Sequence, residues 1–241
     1  GGKAEEAVKV IKAIIADDPE ITDAYFSLGN IYFKQGDYQE AISYFEQALD
    51  RKPDDAFTAI NIANSYLRME KEEEAERFII DYLKKGFSDS QLYFILGNIK
   101  YNQKKYDEAI PHFEQCLSLN PESAGSHSLL ATIYILRDDL ARAEKHLMEA
   151  LALNAELPNL HYNLAQLFEK QGKMKEAEEA YKKELEYFPK HYKASFNLAR
   201  LCRIGGEEGE EEKYLRMTLE SNPDFPLSYF YLARLSLNRG Q

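Results

Sequence analysis

Apolar residues along this chain recur at steps of three and four. Between Thr22 and Asp55, Tyr25, Leu28, Gly29 and Tyr32 form one stripe, and Ala41, Phe45 and Ala48 form a second. Such steps bring side chains to one face of an α-helix, so each stripe predicts an amphipathic helix with one buried side. Gly36 stands between the stripes, where a left-handed residue can end a helix. Pro53 closes the second stripe, because proline cannot continue a helix. The segment reads as a helix–turn–helix hairpin.

The hairpin repeats. In steps of 34 residues, Gly29 is followed by Ala63, Gly97, Ala131, Ala165, Ala199 and Ala233. Leu28 is followed by Ile62, Leu96, Leu130, Leu164, Leu198 and Leu232. Ala41 has counterparts at Ala7, Ala75, Ala109, Ala143 and Ala177, and Pro53 at Pro19, Pro121, Pro189 and Pro223. The register runs without insertion or deletion and predicts one array over 1–241. It has a lone second helix in 1–21, full repeats 22–55, 56–89, 90–123, 124–157, 158–191 and 192–225, and a lone first helix in 226–241, from about Leu227 to Arg239. That makes about fourteen helices. Small residues at the eighth and twentieth stations let paired helices approach. A single hairpin cannot bury its apolar face, so stacking has to supply the core.

An aromatic, Leu-Gly, Tyr, then Ala, Phe and Pro within 34 residues resembles the tetratricopeptide repeat over essentially the whole chain. The resemblance implies an all-α fold, an α-solenoid of stacked hairpins wound into a right-handed superhelix. Its concave groove would be lined mainly by the first helices.

The pattern breaks in places. Tyr82 and Glu184 occupy the twenty-seventh station, where Ala is usual, and Phe87 and Ala155 replace the proline. Pro111 is expected near the first turn of its helix, where N–H groups lack partners anyway. The largest break runs from Gly205 to Glu212, with Glu211 in place of the packing Ala and Glu208 in place of Tyr38. Its glutamates suit a helix N-terminus but are expected to bury nothing, giving a solvated, loosened hairpin.

Composition narrows the function. A net charge of −11 argues against nucleic acid, which needs a basic footprint, and against an anionic membrane surface. No apolar run approaches the ~20 residues that span a bilayer, so no membrane insertion is expected. Gly1-Gly2-Lys3 reads as an expression remnant, and the chain as a fragment of a longer repeat protein. Cys116 and Cys202 read as buried free thiols, too far apart in an array to form a disulfide. There is no phosphate-binding loop, Cys-x-x-Cys, His-Glu-x-x-His or nucleophile elbow. His127 and His161 share one repeat station and so could be neighbours, but no third metal ligand accompanies them. The expectation is no enzyme, no cofactor and no metal in this stretch. The compartment stays open, with the cytoplasm favoured.

By the resemblance, the second, fifth, ninth, twelfth and thirteenth stations line the groove. Early repeats place Phe26, Phe33, Phe57, Ile60, Leu67, Phe94 and Tyr101 there, an apolar and aromatic stretch. Tyr162 continues it. Lys34, Arg68, Lys170, Lys193, Arg200, Arg203 and Arg234 stand against only Asp23 and Glu169, a basic lining in an acidic protein that would steer acidic ligands. Asn30, Asn64 and Asn98 resemble the peptide-backbone clamp in the helical arm of O-linked GlcNAc transferases, since an amide can hold both N–H and C=O. Asn30 and Asn61 match the asparagines of the two-carboxylate clamp in chaperone-binding relatives. Phe26, Gln91 and Ile95 stand where its cations belong, so that mode of recognition is rejected. The leading expectation is a scaffold whose groove takes a protein or peptide segment both hydrophobic and acidic. The alternatives are a self-association module and a substrate-presenting arm of a larger enzyme.

Overall fold

The computed structural model describes residues 2–238, except the side chain of Lys3. Gly1 and Arg239 lie outside the described residues. Among the described residues there are fourteen α-helices and no strand. They fall into two compact units, 1–121 and 122–241.

The first unit holds α1 (Gly2–Asp17), α2 (Thr22–Gln35), α3 (Tyr38–Arg51), α4 (Ala56–Arg68), α5 (Glu72–Lys84), α6 (Ser90–Asn102) and α7 (Tyr106–Leu119). Each helix packs on the next, and α4 also touches α6. The second unit holds α8 (Ala124–Leu136), α9 (Leu140–Leu153), α10 (Leu160–Lys170), α11 (Met174–Tyr187), α12 (Tyr192–Gly205), α13 (Glu208–Ser221) and α14 (Pro226–Asn238). There too successive helices pack, and α8 touches α10. Both units are stacks of hairpins.

The core is built from the repeated stations. Leu28, Ile62, Leu96, Leu130 and Leu198 are all at most 1% exposed. A Cβ added at Gly29 would lie 2.5 Å from the Phe45 ring, and one added at Gly97 would lie 2.5 Å from the Phe113 ring. Where the eighth station is Ala63, Ala131 or Ala199, its counterpart at the twenty-fourth is the smaller Ile79, Leu147 or Leu215, and all six are buried. In these five repeats the volumes of the two stations compensate, as a close-packed interior requires, whereas the repeat 158–191 buries Tyr181 opposite Ala165.

The turn inside each full repeat is left-handed at one station. Gly36, Gly172 and Gly206 have φ of 88°, 76° and 76°, and Glu70, Lys104 and Asp138 take φ of 60° there without being glycine. The geometry is thus kept where the favoured residue is not, at some backbone cost.

Two sequence expectations change, and one helix starts late in its repeat. Pro111 is the sixth residue of α7, beyond the four N–H groups that lack partners, yet the helix runs through it. α10 starts at Leu160, after Asn159 in the left-handed region (φ 64°). The glutamate run does bury a side chain: Glu211 is 2% exposed, in the packing position it was expected to leave empty. Tyr214, Leu215 and Cys202 surround that hairpin's core. A helix that must dock through this station carries its carboxylate inward.

Candidate interaction face

In the first unit the face is carried by α2, α4 and α6. Phe57 on α4 is 61% exposed, and its ring centroid lies 5.6 Å from that of Phe26 on α2. The other aromatics are half-buried against their own hairpins. Phe26 packs on Phe45 at 5.6 Å, Phe33 on Tyr38 at 5.3 Å, Phe94 on Phe113 at 6.0 Å and Tyr101 on Tyr106 at 5.6 Å. Burial pushes the Tyr101 hydroxyl up from its ordinary value. Ile60 is buried and belongs to the core with Ile95 and Ile99. One ring therefore stands free on a floor of rings that are each fixed from below.

The asparagines differ from one another. Asn98 donates from Nδ2 to the Phe94 carbonyl one turn earlier, 3.1 Å away, so its amide is used within α6. Asn61 Nδ2 is buried with no hydrogen-bond partner. Asn30 and Asn64 are half-buried. A buried amide donor left unpaired costs roughly 1–3 kcal/mol, a cost Asn61 carries inside the array rather than at its surface.

In the second unit, α8, α10, α11 and α12 enclose a hollow of about 350 Å³. Groove stations supply Thr132, Leu136, Gln166, Glu169, Lys170 and Arg200. Tyr181, from α11, donates its hydroxyl to Glu169 Oε1 at 2.6 Å and accepts from Asn197 Nδ2 at 2.9 Å. Arg200 pairs with the other Glu169 oxygen. Tyr162 lies beside this network, its hydroxyl accepting from Gln166 Nε2 at 3.3 Å. Burial, with the Glu169 carboxylate beside it, raises the Tyr181 hydroxyl far above its ordinary value. Lys170 is held by Asp138 at 2.9 Å.

The basic residues are thus less available than their number suggests. Arg203 lies over the Tyr231 ring at 3.9 Å, and Arg234 lies 5.3 Å from the same ring and 3.7 Å from Glu211. Burial raises the Glu211 carboxyl, while Arg234 and Arg203 oppose the shift. Lys193 is exposed. Around these cations Ile204, Phe230 and Leu237 are 70%, 62% and 75% exposed. Their stations marked them as groove residues, but charge dominated the sequence reading there.

The histidines do not meet as expected. His127 Nδ1 lies 2.9 Å from Nδ1 of His146, whereas His161 Nε2 lies 3.0 Å from the Ala155 carbonyl and its ring stacks on Tyr187. Among the described residues no three potential metal ligands converge. Cys116 and Cys202 are buried thiols, and burial pushes Cys202 up to about 11. Glu184, a break in the pattern, is fully buried and accepts the N–H groups of Asn159 and Tyr162 at 3.0 and 3.2 Å. It caps α10 from the neighbouring helix, a role the sequence signalled only by placing a carboxylate at a buried station.

Three tetratricopeptide repeat models match, at residues 22–55, 101–167 and 162–226. The chain belongs to the tetratricopeptide repeat (TPR) family. Among solved structures, the APC/C hetero-tetramer Cut9–Hcn1 matches with a TM-score of 0.75 and 16% identity, covering 97% of this chain and 46% of that one. The chain thus spans less than half the length of that relative. PilF of Pseudomonas aeruginosa matches with a TM-score of 0.75 and 20% identity, over 88% of this chain and 97% of that one. YrrB, described as a TPR protein with an unusual peptide-binding site, matches with a TM-score of 0.61 and 17% identity, over 78% and 96%. No curated protein matches the sequence. At these identities the likeness is one of fold. A TPR array is a protein-interaction scaffold, and the TPR fold is typically non-catalytic. No helix among the described residues is long and apolar enough to cross a membrane.

Proposed function

We propose that this TPR chain binds polypeptide segments on its first-helix faces, with apolar anchors held on the first unit and acidic side chains on the second. The exposed Phe57 ring beside Phe26 carries the reading. A large aromatic gains by leaving water, and here its own protein does not cover it. The half-buried Phe94 and Tyr101 would extend the anchor site along α6. On the second unit an acidic side chain meets Lys193 directly, and at Arg200 it competes with Glu169. YrrB, a TPR protein with a peptide-binding site, is compatible with this use of the fold.

The test uses peptides selected on the full chain from a random display library. Binding of a selected peptide is measured by fluorescence anisotropy. Phe57→Ser is expected to weaken it at least tenfold, consistent with about 2 kcal/mol for an aromatic anchor, without changing the salt dependence. Lys193→Glu is expected to slow association most at low salt. Selected peptides without aromatic or aliphatic anchors, bound equally by wild type and Phe57→Ser, contradict the proposal.

A further inference from the structure

We infer that the second unit carries a docking pocket for a proline-rich segment with an acidic flank, set at its inter-repeat loops. This goes beyond binding on the first-helix faces, and neither reading depends on the other.

Departures from the repeat converge there. α2, α4, α6, α8 and α12 begin at the first station of their repeats, but α10 begins at the third. Pro158 and Asn159, which stand where its first turn would be, stay in the loop, and Ala155 ahead of them replaces the usual proline. Three side chains tie this loop down. His161 Nε2 lies 3.0 Å from the Ala155 carbonyl, and Glu184 accepts the Asn159 and Tyr162 N–H groups. His191 caps α12 by accepting the Ala194 N–H at Nδ1, so its neutral ring carries the proton on Nε2. That proton is donated to Asn159 Oδ1, 2.8 Å away. The Asn159 amide nitrogen is thereby turned the other way, on an exposed residue and without a partner among the described residues.

Beside this loop lies a pocket of about 530 Å³. Its walls are rings, Pro158 and Pro189 with Tyr187 and Phe188 at the end of α11. Glu184 and His191 lie behind them, the first fully buried and the second half-buried, with their polar atoms engaged by the loop and by α12. Lys190 at the lip is exposed and makes no ion pair among the described residues.

The occupant follows from what this surface can bond. An ordinary segment pressed onto it would strand N–H donors, because the side-chain acceptors here are already used. Proline brings no N–H, and proline-rich segments dock on aromatic-lined surfaces. A polyproline chain is also extended beforehand, so it loses little conformational freedom on binding. Its carbonyls can accept from the Asn159 amide. Charge complementarity sets the flank: Lys190 is an unpaired cation beside a pocket whose lining carboxylate, Glu184, is buried, so it attracts an acidic residue.

Fluorescence anisotropy of a labelled octaproline peptide with aspartates at both ends, titrated with the full chain, tests this. Saturable binding is expected, and a peptide of equal charge with serine in place of proline is expected not to bind. Asn159→Gly keeps the left-handed backbone and removes the amide, and is expected to weaken binding about fivefold. Lys190→Glu is expected to weaken the aspartate-flanked peptide most at low salt and to leave uncharged octaproline unchanged. Both variants are exposed and are expected to keep wild-type circular dichroism. An octaproline peptide that fails to bind at near-millimolar chain overturns the inference. So does equal binding of the serine peptide, or binding that neither variant alters.

Discussion

At the scale of single residues, the fold rests on matched volumes. Gly97 admits the Phe113 ring, and an added Cβ would lie 2.5 Å from it. Elsewhere an alanine at the same station stands opposite Leu147 or Leu215. Gly97→Ala is therefore expected to destabilise the chain by roughly 1–3 kcal/mol, although alanine is the better helix former. Adding Phe113→Leu should return much of that loss, because the pair then copies Ala131 and Leu147. Denaturant midpoints of the two single variants and the double variant give the coupling directly. Additive losses would mean that the two stations do not set each other's size. This pairing was half legible: the 34-residue register gave both stations, but only their distance shows that one excludes the other.

At the scale of helices, the register predicted the hairpins and most of their ends, because apolar spacing and turn residues act locally. Less legible were polar groups that reach across helices. Glu184 on α11 caps α10, and Glu211 on α13 turns inward toward Arg234 on α14. A sequence shows such residues as departures from a pattern, while their partners depend on how neighbouring helices stack. The same holds for His127 on α8 and His146 on α9, which meet across their hairpin. Burial, together with the His127 charge, lowers His146 to about 4 from an ordinary 6.5. The unfolded chain takes up a proton at this residue below its ordinary value, whereas the folded chain resists until about 4. Stability should therefore fall as the pH drops through that window. His191, also lowered by burial, adds to the fall. His146→Tyr, the residue that Tyr44 supplies at this station, should flatten the dependence. Urea midpoints at about pH 7 and about pH 5 check this, since ordinary histidine titrates between them. An equal drop in the variant would assign the effect to other groups.

At the scale of the whole molecule, repeat composition and function separate. Family and fold were legible because many stations repeat together. The interaction face was legible as a set of stations but not as a set of available groups. Phe57 is free while Ile60 is core, and Arg200 is occupied by Glu169 while Lys193 is open. Counting charges along the groove overstated its basicity, since Asp138 and Glu211, which pair with Lys170 and Arg234, stand at stations outside the groove set. The central claim is that the first-helix faces take a polypeptide. Hydrogen–deuterium exchange of the full chain, with and without a peptide selected on it, tests that claim most directly. Added protection is expected in α4 around Phe57, and in α2 and α6, with α3, α5 and α7 unchanged. Protection confined to α3, α5 and α7, with none in α2, α4 or α6, would place the binding face on the second helices and contradict the account.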